Sequence, residues 1–372
     1  MATIVARHER WTRLERPRTL LLAAVVIGWA PLVLIGVGER LVLGRVEPVL
    51  GDVSVHARLL VAVPLFLIAD LALAFQMRTT LSRLRDEGFV AAADRGRFDQ
   101  IAARADQLRG ALVPEVILFG LAIVVSLATL AGLRGPAGAF QGGSPSGGGV
   151  AGAWFALVGL PLFLFLLLRS LWRWGIWMVT LVKLARLRLV LALGHPDRRG
   201  GLSFLTLPSM AFNAPYLLGV SSVLCASWGM RIHTEHATLP QLLHPMIAFA
   251  LLGVLLAFAP LLAFTPRLFL GARRGLVEYG GLATDYVRRF QAHWSPPSQR
   301  ADLLGTSEIQ SLNDLGGEYR EVIEKSVALI FSPRDVIMLV IVMALPLAPL
   351  SLMIVPVDQL LKKIVQLLIG KR

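Results

Sequence analysis

The feature that most constrains this chain is a set of seven apolar runs, each near the roughly 20 residues a helix needs to cross a bilayer. They fall at 20–37, 59–77, 111–133, 150–171, 204–228, 245–264 and 336–355. Within lipid only a helix or a closed barrel satisfies its own backbone, and runs of this length and continuity read as helices. Composition agrees: of 372 residues 55% are hydrophobic and 16% charged, where an ordinary soluble protein carries about a quarter charged residues. The predicted fold class is all-α, a polytopic membrane protein of about seven transmembrane helices with a helical cytoplasmic portion. Prolines inside the runs, among them Pro161, Pro260 and Pro346, do not argue against this, because neighbouring helices in a membrane can satisfy the carbonyls they free.

A net charge of +13 also suits a nucleic-acid binder, so the placement of the charges has to decide. With the N-terminus in the cytoplasm, four cytoplasmic segments (1–18, 78–109, 173–199 and 267–334) hold 27 basic residues and the three opposite loops hold 5. That is the positive-inside pattern. The charge therefore sets orientation and meets an anionic inner leaflet, and nucleic acid is not an expected partner. The basic tail (Lys362, Lys363, Lys371 and Arg372) runs against the pattern unless the Pro346/Pro349 region turns back as a re-entrant hairpin; seven spans are preferred. The first apolar run is too long for a signal peptide and lacks a small-x-small cleavage site, so it is read as a retained helix. The excess of arginine over lysine, 32 to 5, suggests a GC-rich bacterial genome. Cys225, the single cysteine, can form no intramolecular disulfide.

The segments divide into a cytoplasmic N-terminus (1–18), two spans (19–78), a cytoplasmic helical hairpin (79–110), two spans (111–171), a helix extension with a His-Pro-Asp loop (172–203), two spans (204–266), a cytoplasmic helical segment (267–334), a seventh span (335–356) and an amphipathic C-terminal helix (357–372). In the hairpin Phe98, Ile101, Ala105 and Leu108 keep helical spacing. The fourth span is predicted to continue as one helix over 150–193, with Trp172, Trp174 and Trp177 marking the inner interface; the alternative is a basic segment lying flat on the leaflet. In 267–334 the residues Tyr279, Leu282, Tyr286 and Phe290 form a helical face that ends at Ser295-Pro296-Pro297-Ser298, and a second helix starts near Thr306 or Ser307. These helices are expected to pack on each other and on the extended fourth helix. The run 135–149 is a linker by composition, and the C-terminal helix, with Leu360, Leu361, Ile364 and Leu368 on one face, is expected at the interface. A homo-oligomer is a further expectation.

Ionisable residues inside spans are functional candidates by default. Asp70 lies about 12 Å in from the cytoplasmic end of the second span and Glu115 about 9 Å in on the third, at 1.5 Å per residue; Asn213 lies about 15 Å deep on the fifth, and Arg169 sits at the inner end of the fourth. These four could form an intramembrane polar cluster in which Arg169 pairs one carboxylate; snorkelling to the interface is the competing reading for Glu115 and Arg169. A weak metal candidate is His233, Glu235 and His236, which lacks the His-Glu-x-x-His order of zinc proteases and any cysteine ligand. No phosphate loop, dinucleotide fingerprint or nucleophile elbow is present, and neither a catalytic residue nor a cofactor is expected.

The run from Gly194 to Leu202, Gly-His-Pro-Asp-Arg-Arg-Gly-Gly-Leu, offers His195, Asp197, Arg198, Arg199, Gly200 and Gly201 as a cytoplasmic ligand or gating loop. Arginines with glycine amides can hold a phosphate, and His195 with Asp197 can move a proton; a simple turn between helices is the competing reading. Together with Gly305-Thr306-Ser307-Glu308-Ile309-Gln310-Ser311-Leu312, this loop resembles a family of bacterial inner-membrane proteins in which a His-Pro-Asp-x-x-Gly-Gly-Leu loop and a Gly-Thr-x-x-Ile-Gln-Ser-Leu stretch recur. The resemblance covers roughly 194–315 and implies an inner-membrane location but no activity. The leading expectation is a non-enzymatic bacterial inner-membrane protein that passes or senses a small ion or solute. Its rivals are a membrane enzyme acting on a phosphorylated lipid and a membrane scaffold for a cytoplasmic protein.

Overall fold

The computed structural model describes residues 24–44, 48–130, 149–192, 195–235, 239–294, 307–324 and 329–350. Seven helical stretches are long and apolar enough to cross a membrane: Ala24–Leu43, Val53–Asp86, Ala92–Thr129, Val150–Ala185, Ser203–Thr234, Pro240–His293 and Pro333–Leu350. The protein is an all-α, multi-pass membrane protein. The N-terminal arginines, most of the 135–149 linker, the break at 295–298 and the amphipathic helix over 357–372 lie outside the described residues.

The principal helices are α1 (Ala30–Leu43), α2 (Val63–Asp86), α3 (Arg95–Arg109), α4 (Leu112–Leu130), α5 (Leu160–Ala185), α6 (Thr206–Glu235), α7 (Leu239–Phe258), α8 (Thr265–Trp294), α9 (Ser307–Glu324) and α10 (Pro333–Ala344). Helices α2, α5 and α6 make the centre, α4 packs mainly on α5, and α10 packs on α6 and α7. The core is aromatic. Trp174 stacks on Phe212 at 5.0 Å with planes 2° apart, Phe212 on Tyr216 at 5.1 Å, Tyr216 meets Phe66 at 5.0 Å, and Phe66 meets Phe163 at 5.8 Å. Five rings from three helices thus touch in series.

Prolines interrupt the spans, and side chains of neighbouring helices repair the damage. Pro260 has no N–H to give the carbonyl of Leu256, four residues earlier, and Trp174 Nε1 donates to that carbonyl at 3.1 Å. The stretch Phe155–Gly159 is π-helical; there the donor lost at Pro161 is the one five residues after Ala156, and Ser126 Oγ hydrogen-bonds the Ala156 carbonyl instead. Beside Pro346, Ser221 Oγ takes the Met343 carbonyl in the same way. Pro346 itself is absorbed by a 3-10 turn, Leu345–Leu347, and the helix runs on to Leu350 without reversing, so no re-entrant hairpin forms among the described residues.

The fourth helix is shorter than predicted. It stops at Ala185, and the chain turns extended, with Leu189 bridging Val90 in an antiparallel pair. Val190 N–H donates to Phe89 C=O at 2.8 Å and Ala91 N–H to Arg188 C=O at 3.0 Å. No proline or glycine marks this end. The signal is a change of period from helical to two-fold: Leu187, Leu189 and Leu191 point inward while Arg188, Val190 and Ala192 are exposed. The interfacial belt is also corrected. Trp172 is exposed, but Trp174 and Trp177 are fully buried, because they lie three residues apart on the helix face turned to the core.

Over 79–110 the end of α2 and α3 make the two arms of a helical hairpin, with Phe98 and Ala105 buried. Helix α8 carries the sixth span onward, and α9 packs on α8. Tyr279, Tyr286 and Phe290 are half-buried there, whereas Leu282 is 56% exposed; Ala283, one position on, holds the shared face. No extended fourth helix exists for them to pack on, and one tie between these segments is a hydrogen bond from Arg267 Nη2 to the Arg186 carbonyl at 3.1 Å.

Candidate functional site

Two carboxylates and two arginines meet between α2, α4 and α5. Arg173 donates from Nη1 to Asp70 Oδ2 and from Nη2 to Glu115 Oε1, both at 3.0 Å. Arg169, one turn earlier on α5, donates from Nε to the same Glu115 oxygen at 2.9 Å, and its Nη1 lies 3.6 Å from Asp70 Oδ2. The i, i+4 spacing of the arginines puts both on one face of α5, so each cation touches each anion. Asp70 is the buried member, with a side chain 4% exposed against 29% for Glu115. Its second oxygen, Oδ1, is buried and has no hydrogen-bond partner. Ser170 stands beside it but points its hydroxyl at the Phe66 carbonyl, 3.5 Å away. Arg109, at the end of α3, adds a fifth charge nearby; its Nη1 rests 3.6 Å from Met77 Sδ and its Nε is unpartnered.

Of the four residues proposed from sequence, Asp70, Glu115 and Arg169 come together and Asn213 does not bond to them. Asn213 is fully buried, donates from Nδ2 to the Ser209 carbonyl at 2.8 Å, and leaves Oδ1 unpartnered. Glu115 and Arg169, for which snorkelling is the competing reading, are hydrogen-bonded to each other at 2.9 Å. Sequence reading missed Arg173, which hydropathy places just past the end of the fourth span; its spacing of four from Arg169 was the available signal. It also misplaced Arg58, assigned to the loop before the second span. The helix begins earlier, and Arg58 is 2% exposed.

The His-Pro-Asp loop is organised by its own carboxylate. Asp197 Oδ1 accepts from the backbone N–H of Arg199 at 2.9 Å and of Gly201 at 3.0 Å, and Oδ2 from that of Ser203 at 3.0 Å. Of the glycine amides offered to a phosphate by sequence reading, that of Gly201 is therefore occupied within the loop. Arg198, Gly200 and Gly201 adopt left-handed φ of 59°, 62° and 83°, and a Cβ on Gly201 would stand 2.8 Å from the Phe89 ring, so the second glycine is there for close approach. Arg199 Nε donates to the Leu329 carbonyl at 3.1 Å. His195 Nδ1 lies 3.0 Å from Asp197 Oδ1 and 3.2 Å from Asp197 N. Protonated it can donate to the carboxylate; bare it can accept from the N–H.

Burial alone would raise the Asp197 pKa, but the three backbone N–H donors, with the Ser203 hydroxyl, outweigh it and hold the carboxyl below its ordinary range. A group whose pKa is lowered by folding adds stability that is complete above the ordinary Asp value, about 4, and is lost as pH falls through the lowered one. Asp197→Asn is therefore expected to cost about 1–2 kcal/mol at neutral pH and to flatten the acid limb of the melting curve. Equal acid sensitivity in both proteins would show that the loop is not held this way.

His233 is exposed at the end of α6, while His236 lies outside the described residues, as does the Glu235 side chain. Among the described residues no three His, Cys, Asp or Glu side chains group as metal ligands.

Fold and charge network together define an integral membrane protein with a buried ion-pair cluster. Family models, curated proteins and solved structures offer no match to this chain.

Proposed function

We propose that this is a bacterial inner-membrane protein, with its N-terminus in the cytoplasm, that passes or senses a small cation or proton through Asp70. The observation that carries this reading is the asymmetry of that carboxylate: Oδ2 is held by Arg173 and approached by Arg169, while the buried Oδ1 has no partner. An incoming proton or cation at Oδ1 neutralises Asp70 and weakens its hold on the arginines, which have Glu115 as their second acceptor. Charge moves by exchange of partners, with Glu115 still pairing both arginines in the low-dielectric interior while Asp70 is neutral. The loop over 195–201 is the gating element in this scheme, since it rests on Phe89 at the foot of the helix that carries Asp70.

The test is flux in proteoliposomes carrying a pH dye or a sodium or potassium gradient, using preparations that stay monodisperse so that lost flux reports the site. Wild-type protein is expected to pass one of these ions, and Asp70→Asn and Glu115→Gln to reduce that flux toward empty-vesicle values. Flux untouched by both substitutions, or none in the wild type under any gradient together with no ion-dependent shift in its melting, would overturn the reading.

A further inference from the structure

At the other end of the bundle from the His-Pro-Asp loop stands a second buried charge; Asp52 is near enough to act on it through its charge, but no described acid is within ion-pair distance. Arg58 is 2% exposed, and its Nε and Nη2 make no hydrogen bond. Those two nitrogens form the parallel edge of the guanidinium, the fork that matches the two oxygens of a carboxylate or another planar oxyanion. A buried guanidinium with this edge unmet costs several kcal/mol, so its retention calls for an occupant. The described acids nearest it, Glu39 and Asp52, make their hydrogen bonds elsewhere. Glu39 takes the Val150 and Ala151 N–H groups at 2.6 and 3.3 Å, and Asp52 caps its own helix by accepting from Ser54 N–H at 2.8 Å.

The backbone around Arg58 points the same way. Arg58 sits in a π-helical turn, Ala57–Ala62, and its guanidinium stands 5.9 Å from the ring centre of Phe155, which opens the π-helical turn Phe155–Gly159. Such turns mark functional sites more often than chance, and here two of them face each other across one arginine. Ser54 Oγ, a turn before Arg58, and Trp154 Nε1, next to Phe155, are likewise buried without partners. Two neighbouring helices thus carry uncommitted donors within a turn of the Arg58–Phe155 contact in sequence. From Asp70, Arg58 is twelve residues away on the same helical span, about 18 Å at 1.5 Å per residue, and the aromatic series at Phe66 lies between.

We infer that Arg58 is the core of a binding site for a small oxyanion, a carboxylate or inorganic oxyanion that seats two oxygens on the Nε/Nη2 edge. The purified full-length protein is to be melted in detergent at matched ionic strength with sodium acetate, sodium nitrate, sodium phosphate or sodium chloride. A planar or tetrahedral oxyanion is expected to raise the melting temperature saturably, with chloride showing no such rise; acetate against nitrate and phosphate separates organic from inorganic sources. Arg58→Lys keeps the charge and loses the fork, and is expected to weaken the binding about tenfold or more, with Arg58→Met abolishing it. If either variant fails to fold, calorimetric titration of the wild type with the same salts reads the site directly. No saturable effect of any oxyanion on the wild type, an equal effect of chloride, or an undiminished effect in Arg58→Lys would each overturn the inference.

Discussion

Asp70→Asn is expected to destabilise the protein by about 3–5 kcal/mol, the cost of removing one partner from a buried charge pair. With Asp70 neutral, Arg169, Arg173 and Arg109 face Glu115 as the remaining carboxylate of the cluster, and Arg173 Nη1 loses its 3.0 Å acceptor. Arg173→Met should be costly too, because it strands the 4%-exposed Asp70 with Arg169 at 3.6 Å. The double variant should be more stable than the sum of the single losses implies, since it removes a cation and an anion together. Glu115→Gln should cost less than Asp70→Asn, as its side chain is 29% exposed. Denaturation of the four variants in mixed micelles tests this order; an Asp70→Asn protein as stable as the wild type would remove the cluster from any account of the fold.

The second large effect is expected at Trp174. In a lipid-embedded bundle the loss on truncation comes from packing rather than from transfer out of water, and Trp174 is fully buried between α5, α6 and α7. Trp174→Ala should cost about 3–5 kcal/mol, removing the stack on Phe212 and stranding the Leu256 carbonyl that Pro260 cannot serve. Trp174→Phe keeps a ring against Phe212 and loses the donor, and should cost about 1–3 kcal/mol, as for a buried acceptor left unmet. Melting temperatures that rank phenylalanine at or below alanine would show that the proline repair, and not the aromatic series, dominates at this site.

Most of the architecture was legible in the sequence because lipid leaves few alternatives: seven apolar runs became seven candidate spans, and helical spacing in Phe98, Ile101, Ala105 and Leu108 became the buried side of α3. Depth arithmetic likewise put Asp70 and Glu115 at one level, and they do share two arginines. What it could not supply was the lateral arrangement. Arg58 and Arg173 both lie at the edge of a hydropathy window, where a charged residue reads as the end of a span; in each case the helix continues past it and the charge turns inward. Asn213 has the right depth and faces a different neighbour. The end of the fourth helix carries neither glycine nor proline to announce it, because the chain leaves the helix by pairing edge-on with residues 89–91.

The charge cluster also settles a mechanical question that apolar packing leaves open. Helix α4 is almost entirely aliphatic and packs mainly on α5, and two smooth aliphatic helices can slip past each other along their axes with little change in contact. Glu115 removes that freedom. Seated between Arg169 and Arg173, which are one turn apart, it acts as a detent: a slide of α4 by a full helical turn, about 5.4 Å, would carry the carboxylate beyond one arginine or the other and break a charged hydrogen bond in lipid. The inner end of the third span is thus pinned in register by Glu115, as Ser126 holds it farther along, and whatever neutralises Asp70 and shifts the arginines would also decide how tightly that inner pin is held.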